Sequence, residues 1–342
     1  MSRTLRAQLF LLDNLIWVIL LGFFLINMFI TPQFATYGNL VNILYHSSIM
    51  SMLVLGQGLI LMSGNLDLSL ESTLAFAPGM AMLFAVRWLP FGLHPVLTLI
   101  LTLIIGFLVG MFNGYFISKI KVNPLLQTLS TMIILRGVVL FLVPFSIYPL
   151  SDVYRFAGSA RIAGNIPFAV VLMLVTYLIF HVVLQYTTIG RRYLATGGNP
   201  KASYISGINT TKMVMYGYAV AGVLAAIAGI MTAGRQGSVT NSMGDGNVLL
   251  SFAGAILGGA SLHGGKGTAI GMLGGALLLG MFSNSLNLLG VEVTLVEAAK
   301  GALIFLAIII DRVKIKVRSN LLYKEQAKQL EESENIKQCN ND

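Results

Sequence analysis

Residues 187–208 read TTIGRRYLATGGNPKASYISGI, the one long polar, glycine-rich interval between two strongly apolar runs, and their reading decides the fold. Asn199 suits an N-cap, and Pro200 suits the first helical position, where its missing N–H would have had no partner anyway. Gly207 supplies a left-handed residue to end the helix. A turn or two of helix is therefore expected from Lys201 to Ser206, held between membrane spans. Arg191, Arg192, Lys201 and Lys212 place it on the cytoplasmic side if positive charge is retained inside. Such a capped projection is suited to docking. Composition alone favours an ordinary solvated loop.

The rest of the chain supports the membrane assignment on which that reading depends. Of its 342 residues 56% are hydrophobic and only 10% charged, with a mean hydropathy of +0.81. A soluble domain carries about 25% charged residues. The net charge of +9 would suit a nucleic-acid partner, but its distribution argues against one. Of the 22 Lys and Arg residues, 16 fall in segments on one side of the spans proposed below and 4 on the other. The remaining two, Arg136 and Lys300, lie within spans. That asymmetry is a topology signal. Cys339 is the single cysteine and the four histidines are scattered, so no disulfide, metal site or cofactor is expected. The N-terminus lacks a small-residue cleavage site after its apolar run, which reads as an uncleaved first helix.

A bilayer core of about 30 Å asks for roughly 20 apolar residues per helix, fewer where a helix is broken. Ten spans meet that measure, near 14–30, 42–62, 73–86, 95–118, 124–145, 166–186, 213–234, 248–262, 268–289 and 293–310. An even number returns both termini to the cytoplasm. Lys119, Lys121 and Lys266 then lie inside, and Arg87, Arg155, Arg161 and Arg235 outside. The fold expected is an all-α polytopic membrane protein. A single membrane domain covers 1–318 with a cytoplasmic loop at 187–212, and a polar cytoplasmic tail covers 319–342. No interval is long enough for a soluble catalytic domain. Gly254, Gly258, Gly259, Gly271, Gly274, Gly275 and Gly280 have the small-xxx-small spacing of closely packed membrane helices.

Few residues can carry chemistry. The interval 63–72 (SGNLDLSLES) separates two apolar runs, either as a plain turn or as an unwound break dipping into the membrane. Within a break, Asn65, Asp67 and Ser69 would mark a path or gate. Arg136 sits about twelve residues into its span, where a guanidinium costs on the order of 3 kcal/mol and must find a partner. Glu297 and Lys300 are spaced to neutralise one another. Thr128, Ser130, Thr131, Asn284 and Asn287 have the hydrogen-bonding groups to meet a hydroxylated solute, or each other. The run from His263 to Thr268 (HGGKGT) fails the Walker pattern, which needs Gly where Ala260 stands and Ser or Thr where Gly267 stands, so no ATP site is encoded there.

Four blocks, in order, resemble one family. They are Gly64-Asn65-Leu66-Asp67-Leu68-Ser69; Thr128-Leu129-Ser130-Thr131-Met132 with Arg136-Gly137; Thr188-Ile189-Gly190-Arg191-Arg192 through Gly197-Gly198-Asn199-Pro200 to Ser206-Gly207-Ile208; and Leu257 to Gly267 with Asn284-Ser285-Leu286-Asn287-Leu288. Over residues 40–312 the chain resembles the permease subunits of ribose-type bacterial ABC importers, within the wider sugar and branched-chain amino acid permease group. The resemblance implies a cytoplasmic-membrane subunit without ATPase activity of its own. It implies a second permease subunit, identical or not, a cytoplasmic ABC ATPase and an extracytoplasmic solute-binding protein. The opening stretch would then be the coupling helix, with Gly190, Arg191, Arg192, Gly197, Gly198, Asn199, Pro200 and Gly207 at the ATPase contact. Asn65, Asp67, Ser69, Thr128, Arg136, Asn284 and Asn287 would line the pathway or its gate. A monosaccharide or similar polyol is the expected solute; furanosyl signalling compounds, nucleosides and amino acids are carried within the same group. A self-sufficient secondary transporter is the rival class. Three departures stand out. Asn65 takes the place of the family's second glycine before the Asp block. Glu71 occupies the position of a small residue, and Val248-Leu249-Leu250 replaces an acidic E-L-D pattern.

Overall fold

A computed structural model describes residues 8, 10, 12, 14–90, 92–162 and 165–339. Its helices, numbered in chain order, are α1 (Leu15–Ile30), α2 (Tyr37–Met62), α3 (Leu70–Leu83), α4 (Pro95–Tyr115), α5 (Pro124–Leu142), α6 (Asp152–Ser159), α7 (Phe168–Tyr186), α8 (Thr188–Gly198), α9 (Pro200–Ile205), α10 (Thr210–Gln236), α11 (Asn247–Leu257), α12 (Ala269–Leu288) and α13 (Val293–Cys339). Single π-turns extend α3 to Trp88 and α4 to Ile120. A two-residue hairpin pairs Arg161 with Pro167 and Ile162 with Ile166. Six helices among the described residues are long and apolar enough to cross a membrane: α2, α4 with its π-turn, α5, α7, α10 and α12. With α1 and α11 as shorter apolar helices, this is an all-α polytopic membrane protein.

Backbone proximity organises the core. Gly106, Gly110 and Gly114 recur every fourth residue on α4 and lie against Gly222, Tyr218 and Met215 of α10. A Cβ at Gly106 would overlap the Gly222 carbonyl oxygen, and a Cβ at Gly222 would overlap that of Gly106. Lipid gives helices no hydrophobic reason to associate, so this close approach supplies the dispersion contacts that hold them. The expected glycine pairing recurs on α11 and α12, where Gly254 meets Gly275 and Gly258 meets Gly271. Gly222→Val should therefore force α4 and α10 apart. Overpacking of this kind costs about 1–3 kcal/mol, and the thermal unfolding midpoint of the purified protein should fall by several degrees. An unchanged midpoint would show that the contact tolerates separation.

Three elements differ from the sequence expectation. The third-to-last apolar run does not stay helical to 262. α11 ends at Leu257, because Gly259 (φ +90°) turns the chain and Gly264 (φ +78°) and Gly265 (φ +73°) continue a tight loop. The segment 187–198 is not loop but helix α8, capped by the Thr187 hydroxyl, which accepts from Gly190 N–H at 3.3 Å. The interval 143–167 carries the unanticipated helix α6. Its Tyr154 is fully buried and hydrogen-bonds Thr102 of α4. Beyond these, α13 continues without a break from the last apolar run through residue 319 to Cys339.

Candidate functional site

At the end taken as cytoplasmic, α8 and α9 build the projection anticipated around residue 200. Asn199 Oδ1 accepts from Ala202 N–H at 3.0 Å, Pro200 takes the first helical position, and Gly207 is left-handed at φ +82°. Ile208 N–H closes the end on Ser203 O at 3.0 Å. The helix so capped presents Tyr204 (71% exposed) and Ile205 (85% exposed) to the outside, beside Lys201. Arg191 and Arg192 are exposed on α8. Two adjoining large apolar side chains thus stand exposed on a capped tip, with Lys201, Arg191 and Arg192 exposed nearby.

The base of the projection is locked to the membrane helices by backbone contact. A Cβ at Gly197 would overlap the Met62 carbonyl oxygen at the end of α2 and lie 2.8 Å from Gly265 N. That Met62 oxygen also accepts from Gly265 N–H at 2.8 Å. Gly198 faces Gly265 more loosely, and Gly190 lets α8 fold back against Val183 and Leu184 of α7. Tyr193 donates its hydroxyl to Leu59 O of α2 at 2.7 Å, and burial raises its phenol above the usual range, so it stays protonated as a donor. The helix pair α8–α9 is thus in backbone contact with the end of α2 and with the 258–268 loop.

Beyond Met62 the chain does not simply turn. Gly64 (φ +77°) reverses it and Asn65 amide bonds Ser63, then residues 66–69 run unwound into the protein. Asp67 is 1% exposed, and its Oδ1 accepts from Ser69 N–H at 2.8 Å and Ser69 Oγ at 2.6 Å. Ser69 Oγ accepts in turn from Asn113 Nδ2 at 2.9 Å, and Asn113 Oδ1 accepts from Thr131 Oγ1 at 2.7 Å. Tyr218 hydroxyl donates to Leu66 O at 2.8 Å. Thr131 stands seven residues into α5, roughly 10 Å along the helix. The break is therefore buried among α4, α5 and α10, with Tyr218 satisfying the Leu66 carbonyl, Asp67 the Ser69 N–H, and Asn113 and Thr131 linked to the Ser69 hydroxyl, the kind of internal pairing that an unwound segment in a membrane requires. α3 starts from there as a short helix of 14 residues.

Arg136 lies about 18 Å along α5 and ties down the 237–246 segment. Nη1 donates to Asn241 O at 2.7 Å and Met243 O at 3.3 Å, while Nη2 pairs with Asp245 at 2.5 Å. Glu71, in the first turn of α3, stands 3.9 Å from the same nitrogen and accepts from Val248 N–H of α11 at 3.1 Å. Two of the departures seen in the sequence thus meet in space, a carboxylate on α3 at the N-terminal end of α11, whose second residue is Val248.

The remaining candidates go elsewhere. Thr128 is buried and bonds Pro124 O of its own helix. Asn284 exchanges amide hydrogen bonds with Asn39 at 2.9 and 3.0 Å, joining α12 to α2, and Asn287 is exposed at the end of α12. Glu297 and Lys300 pair at 2.6 Å, as their spacing suggested. Asn113, Gln127 and Asp245 were not singled out by sequence, and Glu71 was noted only as a departure from the family pattern. Asn113 was findable as a lone amide in an apolar run, and Asp245 as an acid between two glycines.

Residues 39–310 match the family described as branched-chain amino acid transport system / permease component. The chain is 36% identical to the ribose import permease RbsC of Bacillus subtilis, over 86% of this chain and 92% of that protein. It is 33% identical to the L-arabinose transport system permease AraH of Escherichia coli, over 84% of this chain and 86% of AraH. It is 30% identical to the galactose/methyl galactoside import permease MglC of Escherichia coli, over 89% and 95%. No solved structure matches the chain. A match over most of the chain, with sugar permeases among the relatives, establishes that this multi-pass membrane protein belongs to the branched-chain amino acid transport system / permease component family, on its ribose-type side.

Proposed function

We propose that the chain is the membrane-spanning subunit of an ATP-driven, binding-protein-dependent importer in a bacterial cytoplasmic membrane, carrying a monosaccharide or similar small hydroxylated solute. Ten spans with both termini in the cytoplasm complete the reading. The observation that carries it is the exposed α9 tip seated on a glycine-backbone joint, a part with no use in a self-contained carrier. A cytoplasmic ABC ATPase would grip Tyr204 and Ile205 and push. The joint at Gly197 would pass the motion to α2, the break at 63–69 and the glycine loop, opening the path to alternate sides. A solute-binding protein would deliver solute from outside, and a second permease subunit would complete the pathway. The exposed apolar residues Leu126, Ile133, Ile134 and Leu140 of α5 give such a subunit a surface to share with lipid. Ribose, arabinose and galactose permeases among the relatives favour a sugar.

Reconstituted alone, the protein should not concentrate solute. With its ATPase and binding protein in proteoliposomes, it should do so only with ATP. Uptake by the chain alone, driven by an ion gradient, would contradict the proposal. Coupling has its own test at Gly207. A β-branched residue at φ +82° costs about 1–2 kcal/mol, so Gly207→Val should cut solute carried per ATP roughly tenfold while membrane insertion stays normal. Unchanged stoichiometry would remove the docking role from α9.

A further inference from the structure

A cavity of about 460 Å³ opens at the end taken as cytoplasmic, between the tail of α4, the start of α5, the α8–α9 joint and the start of α10. That size suits a small molecule. No aspartate or glutamate among the described residues lines it, whereas Lys121 and His263 do. Thr210 and Thr211, the first two residues of the 27-residue helix α10, also stand on its wall. Asn209 Oδ1 takes the Lys212 N–H at 3.0 Å, and the N–H groups of Thr210 and Thr211 have no intrahelical partner. The wall is therefore electropositive.

Ser118 points to a ligand there. It lies on the π-turn that ends α4 and lines the cavity at 3% exposure, and its hydroxyl has no hydrogen-bond partner among the described residues. A buried hydroxyl left unpaired is unfavourable, and a ligand oxygen in the cavity would pair it. Lys121 follows in a left-handed conformation at φ +67°, held by Val122 N–H on Phe116 O at 3.1 Å. It is the one non-glycine residue with positive φ among the described residues. Glycine adopts this conformation without steric cost and lysine does not. The turn therefore keeps an ammonium at the cavity against the local backbone preference. The neighbouring Lys119 goes elsewhere, over the Tyr115 ring at 5.2 Å.

We propose that this cavity binds a phosphate-bearing polyol, with Ser118, Lys121 and the first turn of α10 holding the phosphate. Anions are favoured at the N-terminus of a long helix, and an ammonium and a hydroxyl give charge-assisted hydrogen bonds to phosphate oxygens. Asn65, Thr210 and Thr211 on the wall have side-chain donors and acceptors for the hydroxyls of the polyol. A soluble sugar phosphate and the glycerophosphate headgroup of an anionic lipid share this chemistry. Gly197 and Gly198 line the same cavity, so under the permease reading an occupant lies against the coupling joint. Binding itself does not rest on that reading.

The test is binding to the full chain in nanodiscs of neutral lipid, read by isothermal titration calorimetry with ribose 5-phosphate and, as the uncharged comparison, ribose. Ribose 5-phosphate should bind saturably. Ser118→Ala should weaken that binding about tenfold or more, the loss expected for a hydrogen bond to a charged group. The same variant should leave the melting midpoint unchanged or raised, because the hydroxyl it removes has no partner in the protein. Lys121→Gly keeps the left-handed turn and removes the charge, so it should weaken binding about as much with the fold intact. Lys119→Gln should change binding less than about twofold. A second arm adds phosphatidylglycerol to the discs and follows its retention by native mass spectrometry. Retention that Ser118→Ala and Lys121→Gly abolish, without binding of ribose 5-phosphate, assigns the site to a headgroup. Failure of both arms would overturn the proposal. So would a Lys119→Gln loss equal to that of Lys121→Gly, or ribose binding that Ser118→Ala and Lys121→Gly weaken equally. Neither arm needs an ATPase or transport, so a chain that failed as an importer would still give a clear answer.

Discussion

Gly197→Val is expected to abolish ATP-driven uptake, lowering it by about a hundredfold or more, while the protein still inserts and the ATPase still binds. The reason is local. A Cβ at residue 197 would overlap the Met62 carbonyl oxygen and crowd Gly265 N, and neither neighbour is a flexible side-chain end. Both are backbone, and Met62 O is already committed to Gly265 N–H. The valine must lift α8 from the end of α2. The tip at Tyr204 and Ile205 is untouched, so its partner surface survives. What is lost is the path from tip to pathway. The expected signature is ATP hydrolysis that no longer responds to solute-loaded binding protein. Uptake within a factor of about two of wild type would show that force does not travel through this joint. Gly198→Ala makes the control, because a Cβ there meets only Gly265 Cα, at an ordinary 3.7 Å.

The second large effect is expected at Arg136. Arg136→Met fits the volume of the stem but leaves Asp245 and Glu71 facing each other, and the carbonyls of Asn241 and Met243 without their donor. Removing the shared partner of a cluster in which Glu71 is buried but Asp245 is 59% exposed costs up to about 3 kcal/mol, the low end of the range for buried pairs. The purified protein should melt lower by ten degrees or so, and uptake should fall by at least about tenfold. Arg136→Lys restores the charge but not the fork that reaches three oxygens, and should recover only part of the loss. Differential scanning fluorimetry and uptake on the same preparations decide this. A fully stable Arg136→Met variant would show that the 237–246 segment is held by other contacts.

How far these sites were legible follows from where their partners lie in the chain. Asn199, Pro200 and Gly207 act on backbone within three residues, so local chemistry announced α9 correctly. The glycine run 258–267 was legible only in part, since the expected span ran to 262 whereas α11 ends at Leu257 and Gly259 already turns the chain. Helix α8 was hidden because its stability comes from burying Tyr193 and Gly197 against α2 and the 264–265 loop, which no local pattern reveals. The stripe Gly106, Gly110 and Gly114 was visible as spacing, yet an evenly apolar span gives no sign of which face it needs. The choice between a turn and a deep break at 63–69 was open for the same reason. It depends on Asn113, Thr131 and Tyr218, up to 152 positions away. Glu71 and Val248 looked like two unrelated departures, and only their 3.1 Å hydrogen bond joins them. Asn284 shows the reverse case, a polar residue in a suggestive block whose amide is already paired with Asn39.

The membrane domain on this account is a passive gate, worked from a rigid tip at its inner surface by a subunit that burns ATP. A cryo-electron microscopy map of the chain assembled with its ATPase tests that most directly. Residues 200–205 are expected in a groove of the ATPase, with Tyr204 and Ile205, now 71% and 85% exposed, buried against it. A map in which that helix stands free of every nucleotide-hydrolysing subunit would contradict it.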